Sequence, residues 1–468
     1  MLGIGGIGMS ALARYYHSMG YTVAGYDRTP SPLTRQLEDE GMAIHYEDQP
    51  ELLPALIDFV IYTPAVPRDL KEFEALRQRN LPIMKRSEAL GKVTEGHFTI
   101  AVAGTHGKTT TTAMVAHILN HCGVNTTAFI GGIANNFNSN LLLSEVKEST
   151  LVVEADEFDR SFLHLHPEVS IINSIDADHL DIYGDKTHVV AGFNDFAHLT
   201  HDLVIVKEGL DVEVENSVRF GFGEACDYRA EVVKSEKGIT DFVIYGEGQK
   251  TEVRLPMAGN HNVLNATAAF IAASQTRLAP QAIAEALSTF KGVKRRFDIR
   301  VNNEKHCYID DYAHHPEEIR SCLTAVRAAY VGKRITLVFQ PHLFSRTRDF
   351  MDEFASALAL ADELILLDIY PAREKPIEGI TSAALLEKVP MTDKKICSKS
   401  ELVGLIDSEK PELLLTLGAG DIDRFVEPLE EMIKTWERRY YAYCCGSSRP
   451  ARSSPCLSSP ERTTCINP

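Results

Sequence analysis

The apolar residues of this chain fall in short runs separated by longer amphipathic stretches. Near the start, "YTVAGY", "IDFVIYTPAV" and "LPIMKRSE" have the length of strands, while "SPLTRQLEDEG" spaces its leucines on one face of a helix. Strands alternating with helical segments predict βαβ units and a parallel sheet. The alternation restarts at "GHFTIAVAG" and continues to about Gly292, passing a turn with Asn and His, "AGNHNVLNATAAFIAAS", that opens an Ala-rich helix. It restarts again at "RRFDIRV", after which "ITLVFQPH", "ELILLDIYPAR" and "ELLLTLGAGD" each end in polar or glycine residues. Ligands of open α/β sheets bind beyond the carboxyl ends of the strands, so these three endings are expected to face one cleft. No internal repeat of fixed period is present. The predicted fold class is α/β in three domains, residues 1–95, 96–294 and 295–438, followed by a tail over 439–468.

Composition sharpens this picture. A length of 468 residues suits about three domains at roughly 150 residues each. The formal net charge of −17 argues against a nucleic-acid or anionic-membrane surface, so phosphate chemistry is expected in local pockets that take a small anion. No apolar run approaches the roughly 20 residues of a membrane span, and no secretory leader pattern opens the chain, which points to the cytoplasm. Cys122, Cys226, Cys307, Cys322 and Cys397 are scattered singly among apolar segments, as reduced core residues are. The remaining cysteines lie in "YAYCCGSSRPARSSPCLSSPERTTCINP", whose spacings match no zinc pattern and whose Ser, Pro and Arg content cannot build a core. That tail is expected to be mobile, dispensable and of the kind an out-of-frame extension produces.

Two stretches carry candidate chemistry. "LGIGGIGMSALARYY" contains G-x-G-x-x-G at Gly3, Gly5 and Gly8, a turn whose backbone N–H groups approach a pyrophosphate, and Asp27 supplies the acidic residue expected roughly 20 positions on. Such a turn follows a strand of about five or six residues, and Met1 and Leu2 are too few. "TIAVAGTHGKTTTTAMVAHILNHCG" reads as strand, tight loop and helix. Its G-x-x-G-K-T loop is a shortened phosphate loop in which Lys108 reaches the β/γ-phosphates, backbone N–H groups wrap them, and the Thr109 hydroxyl holds Mg²⁺. Downstream, "LVVEADEFDRSF" ends a strand in carboxylates, and "SIINSIDADHLDIYG" ends another in Asp178, His179 and Asp181, donors suited to a hard cation.

From Leu2 to about Gly420 the chain resembles the Mur ligases, on "GIGGIGMSALA", "GTHGKTTTT", "EADEFDRSFLHLHP", "DADHLDIYG", "GNHNVLNA", "DDYAHHPEEI", "FQPHLFSRTRDF" and "LGAGDI". The resemblance implies a Rossmann-like domain for a UDP-sugar, a central P-loop ATPase domain, and a C-terminal domain of dinucleotide-fold type that closes over an amino acid. It implies ATP and Mg²⁺ as cofactors, and the joining of L-alanine to the carboxylate of UDP-N-acetylmuramate, through an acyl phosphate, in peptidoglycan precursor synthesis. Gly104, Thr105, His106, Gly107, Lys108, Thr109 and Thr110 would cradle the phosphates, with Thr109 and Glu154 on one Mg²⁺ and His179 on a second. Asn262 and Asn265 would meet adenine, Arg296 a phosphate and Asp311 the ribose. Gly5, Gly6, Gly8, Arg86 and Ser87 would meet the sugar nucleotide, and His314, His342 and Arg346 the alanine, Arg346 through its carboxylate. A plainer reading of His314 and His315 is a cap at the start of a helix beginning with Pro316. Phe193 stands where relatives that add later residues carry a carbamylated lysine, so no carbamate is expected. The resemblance also implies several residues before the first glycine motif, so the first strand is expected to be mostly missing, through a misassigned start or a truncation.

Three rivals remain open to the sequence. One is a recycling ligase that attaches a whole tripeptide to the same sugar nucleotide. Another is an NAD-dependent oxidoreductase built on G-x-G-x-x-G and Asp27, which leaves Lys108 and the carboxylates unused. The third is a nucleotide-binding regulator without turnover.

Overall fold

The computed structural model describes residues 1–67, 69–146, 148–176, 186–372 and 374–445. Three sheets organise it. In the first part the strands are short: β1 (Ala24–Tyr26) pairs in parallel with β2 (Ala43–His45), and β3 (Val60–Tyr62) with β4 (Ile83–Lys85). Leu2 sits between the two pairs as a single parallel bridge to Tyr26 on one side and Tyr62 on the other. This is the place a first strand would take, and Leu2 fills it with one residue, 1% exposed. Helix α1 (Ile7–Ser18) follows the glycine turn, α2 (Pro32–Asp39) and α3 (Lys71–Gln78) flank the strands, and α4 (Arg86–Thr94) leads out.

The second sheet has ten strands among the described residues. They are β5 (Thr99–Ala103), β6 (Thr126–Ala134), β7 (Ser139–Leu142), β8 (Thr150–Glu154), β9 (Val169–Ile172), β10 (Leu203–Lys207), β11 (Ser217–Gly221), β12 (Tyr228–Glu236), β13 (Ile239–Gly246) and β14 (Gln249–Leu255). Their order is β14-β13-β12-β11-β10-β9-β5-β8-β6-β7. β5, buried at every position, lies between β8 and β9, so the loop after it emerges at the middle of the parallel region. Helix α5 (Lys108–His121) starts from that loop and packs beside the Ala-rich α7 (Asn260–Ser274), whose small side chains allow close approach. Between them in sequence runs α6 (Lys186–His198), whose Phe193 is fully buried against Phe162. The βα series expected up to Gly292 is interrupted. β12, β13 and β14 form an antiparallel meander, turned at Lys237-Gly238 and Glu247-Gly248 with positive φ at both residues of each turn, the geometry that two-residue hairpins require.

The third sheet runs β15-β16-β20-β17-β18-β19, with β15 (Asp298–Asn302) antiparallel to β16 (Cys307–Asp311) and the others parallel. β17 (Ile335–Phe339) lies between β20 (Leu413–Leu417) and β18 (Glu363–Leu366), so the three apolar runs do end side by side, with β19 (Lys394–Ile396) at the edge. Helix α8 (Pro280–Ser288) precedes this part, and α9 (Pro316–Ala329) and the short α10 (Phe344–Asp349) carry candidate residues. The last helix, Val426–Cys445, continues beyond residue 438, so 439–445 is helical where a structureless tail was expected, and 446–468 lies outside the described residues. Cys307, Cys322 and Cys397 are buried, Cys122 and Cys226 half-buried.

Candidate active site

The loop between β5 and α5 turns on Gly107, whose φ of 80° is the left-handed conformation that glycine adopts without a Cβ penalty. The turn brings Lys108 back over its own loop. Lys108 Nζ donates to Gly104 O at 2.6 Å and to both oxygens of Glu157 at 2.7 and 2.9 Å. Burial works against its ammonium, but Glu157, with Asp156 and Glu154 nearby, outweighs that and holds Lys108 above the usual lysine range. Thr109 Oγ1 donates to Glu154 Oε1 at 3.2 Å, and Gly131 N–H to Glu154 Oε2 at 3.0 Å. A Cβ at Gly131 would lie 2.1 Å from that oxygen, so only glycine admits the carboxylate here. Burial raises the Glu154 carboxyl, and Lys108 opposes the rise.

A cavity of about 370 Å³ opens over this loop. Thr105 to Thr110, Glu154, Asn262, Asn265, Arg296 and Asp311 all line it, so nearly every residue assigned to the nucleotide comes together, although the set spans more than 200 positions of sequence. Asn265 Nδ2 donates to Asn262 Oδ1 at 3.4 Å. Asp311 accepts from the N–H groups of Phe297 and Ala313, both at 2.7 Å, and burial pushes its carboxyl up to about 6 against the pull of Arg296. His179 lies outside the described residues, as do Asp178 and Asp181.

A second cavity, about 490 Å³, lies on the other side of Glu154, which lines both. Its walls include Gly6, Gly8, Arg86, Ser87 and Asp156, and Arg86 Nη2 donates to Asp156 Oδ2 at 3.2 Å. Gly5 is placed differently from the expected substrate contact. It stays out of the lining, and its N–H donates to Asp27 Oδ2 at 2.8 Å. Asp27 therefore fastens the glycine turn.

The residues expected to meet the alanine gather on the third sheet. His342 follows β17, bridges to Tyr370 and stacks on its ring, with centroids 5.7 Å apart. His314 meets His342 edge-on at 5.9 Å. Among the described residues, His342 Nδ1 and Arg346 Nη1 are buried without a hydrogen-bond partner. Burial, then the charges of His314 and Arg346, push His342 down to about 4, so its ring is neutral at pH 7. The helix-cap reading holds for His315, the N-cap residue of α9, where Glu318 accepts from the N–H groups of His314 and His315 at 2.9 and 3.1 Å.

Sequence reasoning missed Glu157 and Glu318. Glu318 also approaches His106 of the phosphate loop at 3.5 Å and thereby touches the central and third parts at once. Its position three residues after a His-Pro helix start was the available signal. Glu157 had none beyond its place among several acidic neighbours.

Comparison with known proteins agrees with this geometry. Residues 1–98 match the Mur ligase family catalytic domain, 102–273 the Mur ligase middle domain and 295–420 the Mur ligase glutamate ligase domain. The UDP-N-acetylmuramate–L-alanine ligase of Cytophaga hutchinsonii is 46% identical over 454 residues, covering 94% of this chain and 97% of that protein. That of Flavobacterium johnsoniae is 46% identical over 440 residues, covering 92% and 97%. Among solved structures, UDP-N-acetylmuramate-alanine ligase from Thermotoga maritima superposes with a TM-score of 0.81 at 30% identity, over 93% of this chain and 98% of that one. A murein peptide ligase from Psychrobacter arcticus, at 24% identity and a TM-score of 0.70 over 92% and 98%, shares the fold. Matches of this length and identity pass through all three sheets and both cavities, and the chain belongs to the Mur ligase family.

Proposed function

We infer that this chain is an ATP-dependent ligase that joins L-alanine to the carboxylate of UDP-N-acetylmuramate and releases ADP and phosphate. The observation that carries the reading is that the nucleotide cavity and the glycine-turn cavity meet at one half-buried carboxylate, Glu154. A terminal phosphate entering from one side and a substrate carboxylate from the other would face each other there. The relatives named as alanine ligases support alanine as the acceptor.

A carboxylate is a poor electrophile, so it is first phosphorylated, and that transfer needs alignment and charge neutralisation more than covalent help. Lys108, freed from Glu157 by the incoming phosphates, would neutralise the γ-phosphate, and the loop N–H groups would hold it in line. Thr109 and Glu154 present oxygen donors within hydrogen-bond reach of each other, a pair that fits Mg²⁺, since this ion completes its shell with phosphate and water. When bound, Mg²⁺ supplies charge stabilisation to the transferring phosphoryl group and to the later oxyanion. Arg346 would take the alanine carboxylate. The neutral amine then attacks the acyl phosphate carbon, phosphate leaves, and an amide remains. We place the reaction in the cytoplasm, where nothing in the fold opposes it: no described helix is long and apolar enough to cross a membrane.

The test is to incubate the protein with UDP-N-acetylmuramate, ATP, Mg²⁺ and, in turn, alanine, serine, glycine and an L-Ala-γ-D-Glu-diaminopimelate tripeptide, and to weigh the nucleotide product. The expected product gains one alanyl residue as ADP appears. Preference for the tripeptide, or ADP without a heavier nucleotide, overturns the reading.

A further inference from the structure

The first domain meets the central one through a largely apolar contact, in which Met9, Ala11 and Leu12 of α1 share a buried cluster with Phe129 and Leu141 of β6 and β7. Apolar attraction is non-directional and does not fix how far one surface slides or turns on the other. Asn140 of β7, fully buried in this contact, supplies direction. Its Nδ2 donates to Ile7 O at 2.5 Å and to Ser10 Oγ at 2.9 Å, and its Oδ1 accepts from Arg14 Nη1 at 2.6 Å. Arg14 in turn donates to both oxygens of Glu40 and to Gln36. Both donor positions and the acceptor of one amide are thus committed across the domain boundary.

Ile7 and Ser10 flank Gly8 and Met9, which form one wall of the second cavity. The opposite wall is Phe129 to Gly131 of β6, the antiparallel partner of β7. We propose that Asn140 is a positioning residue that fixes the glycine turn against the central domain and so sets the affinity for the sugar nucleotide. A buried polar residue in an apolar contact can set register in this way. The proposal rests on reading the second cavity as the UDP-N-acetylmuramate site.

The test uses Asn140→Asp, which keeps the shape but opposes an oxygen to Ile7 O, and Asn140→Leu, which keeps the contact apolar and removes all three hydrogen bonds of the amide. Calorimetry gives Kd for UDP-N-acetylmuramate and for ATP, and steady-state rates give both KM values and kcat. Loss of these buried hydrogen bonds should raise Kd and KM for the sugar nucleotide about tenfold or more in Asn140→Leu, with a smaller rise in Asn140→Asp, and leave those for ATP within about twofold. Ser10→Ala removes one contact, leaves Asn140 in place, and should give a rise of about threefold. Sugar-nucleotide affinity unchanged in both Asn140 variants overturns the proposal. So does a matching loss for ATP, the mark of a loosened fold. If the Asn140 variants do not fold, the Ser10→Ala result decides alone, since no rise there refutes the role. A wild-type protein that binds no UDP-N-acetylmuramate would instead refute the function proposed above.

Discussion

Replacing Lys108 with alanine should have two separable consequences. The first is catalytic: a phosphoryl transfer that loses the lysine contact of its loop forfeits several kcal/mol of transition-state stabilisation, a rate loss of about a thousandfold or more. The second is structural and follows from the ion pair with Glu157, Lys108 being half-buried at 14% exposure and Glu157 buried at 3%. Removing one partner of a buried pair costs about 3–5 kcal/mol, and since a carboxyl group can instead take up a proton at pH 7 for about 3–4 kcal/mol, the lower end applies. For a domain of 150–250 residues that corresponds to a melting temperature lower by about 6–16 °C. Adding Glu157→Gln removes the carboxylate that faced the ammonium, so Lys108→Ala/Glu157→Gln should recover part of the lost stability and none of the activity. Differential scanning fluorimetry and coupled ADP release on the same preparations read both effects. A single variant that keeps more than a tenth of the wild-type rate would refute the phosphate role. A double variant that melts with the single one would refute the ion-pair argument.

Arg346→Ala should raise KM for alanine by about 10- to 150-fold, the loss of a charge-assisted contact worth roughly 1.5–3 kcal/mol, and leave KM for ATP nearly unchanged; a larger effect on ATP would reverse the assignment. Because burial lifts Asp311 to about 6, KM for ATP should rise as pH falls through 6, and Asp311→Asn should flatten that profile. For stability, the folded state holds an extra proton on Asp311 between the ordinary carboxylate range and 6, so its contribution falls as pH rises through that window. An added N-terminal segment of about eight residues ending in an apolar strand should raise the melting temperature and tighten UDP-N-acetylmuramate, by extending the ladder that Leu2 begins; calorimetry and melting unchanged by the addition would refute this.

The phosphate loop was legible because its chemistry lies in contiguous residues whose spacing the turn geometry dictates, down to the left-handed Gly107. The three neighbouring strand endings were legible for a similar reason, since a parallel sheet buried on both faces writes itself as continuous apolar runs. Glu157 was not. It stands in a string of acids, and the chain kinks just after it, at Asp159 and Arg160, both with φ of 53°, so which carboxylate meets Lys108 depends on a local conformation that composition does not encode. Asp27 shows a related limit: spacing from a glycine motif locates an acid but not that its oxygen turns to the backbone of Gly5. The meander β12–β14 escaped notice because its alternating residues sit among βα units, and its turns are set by Lys-Gly and Glu-Gly pairs that are weaker signals than Asn-Gly. The final helix outran the expected boundary because an established helix adds residues one backbone bond at a time, at little cost.

The shared wall at Glu154 also bears on inhibition. On the proposed function, two cavities that open onto one carboxylate can be spanned by a single molecule carrying an adenine-bearing end and a uridine-bearing end. Once the first end is seated, the second binds intramolecularly, at an effective concentration near millimolar for a short flexible tether, and overall avidity can exceed that of either end by about 10²–10⁴-fold. The length of the tether, more than any new contact, would govern potency.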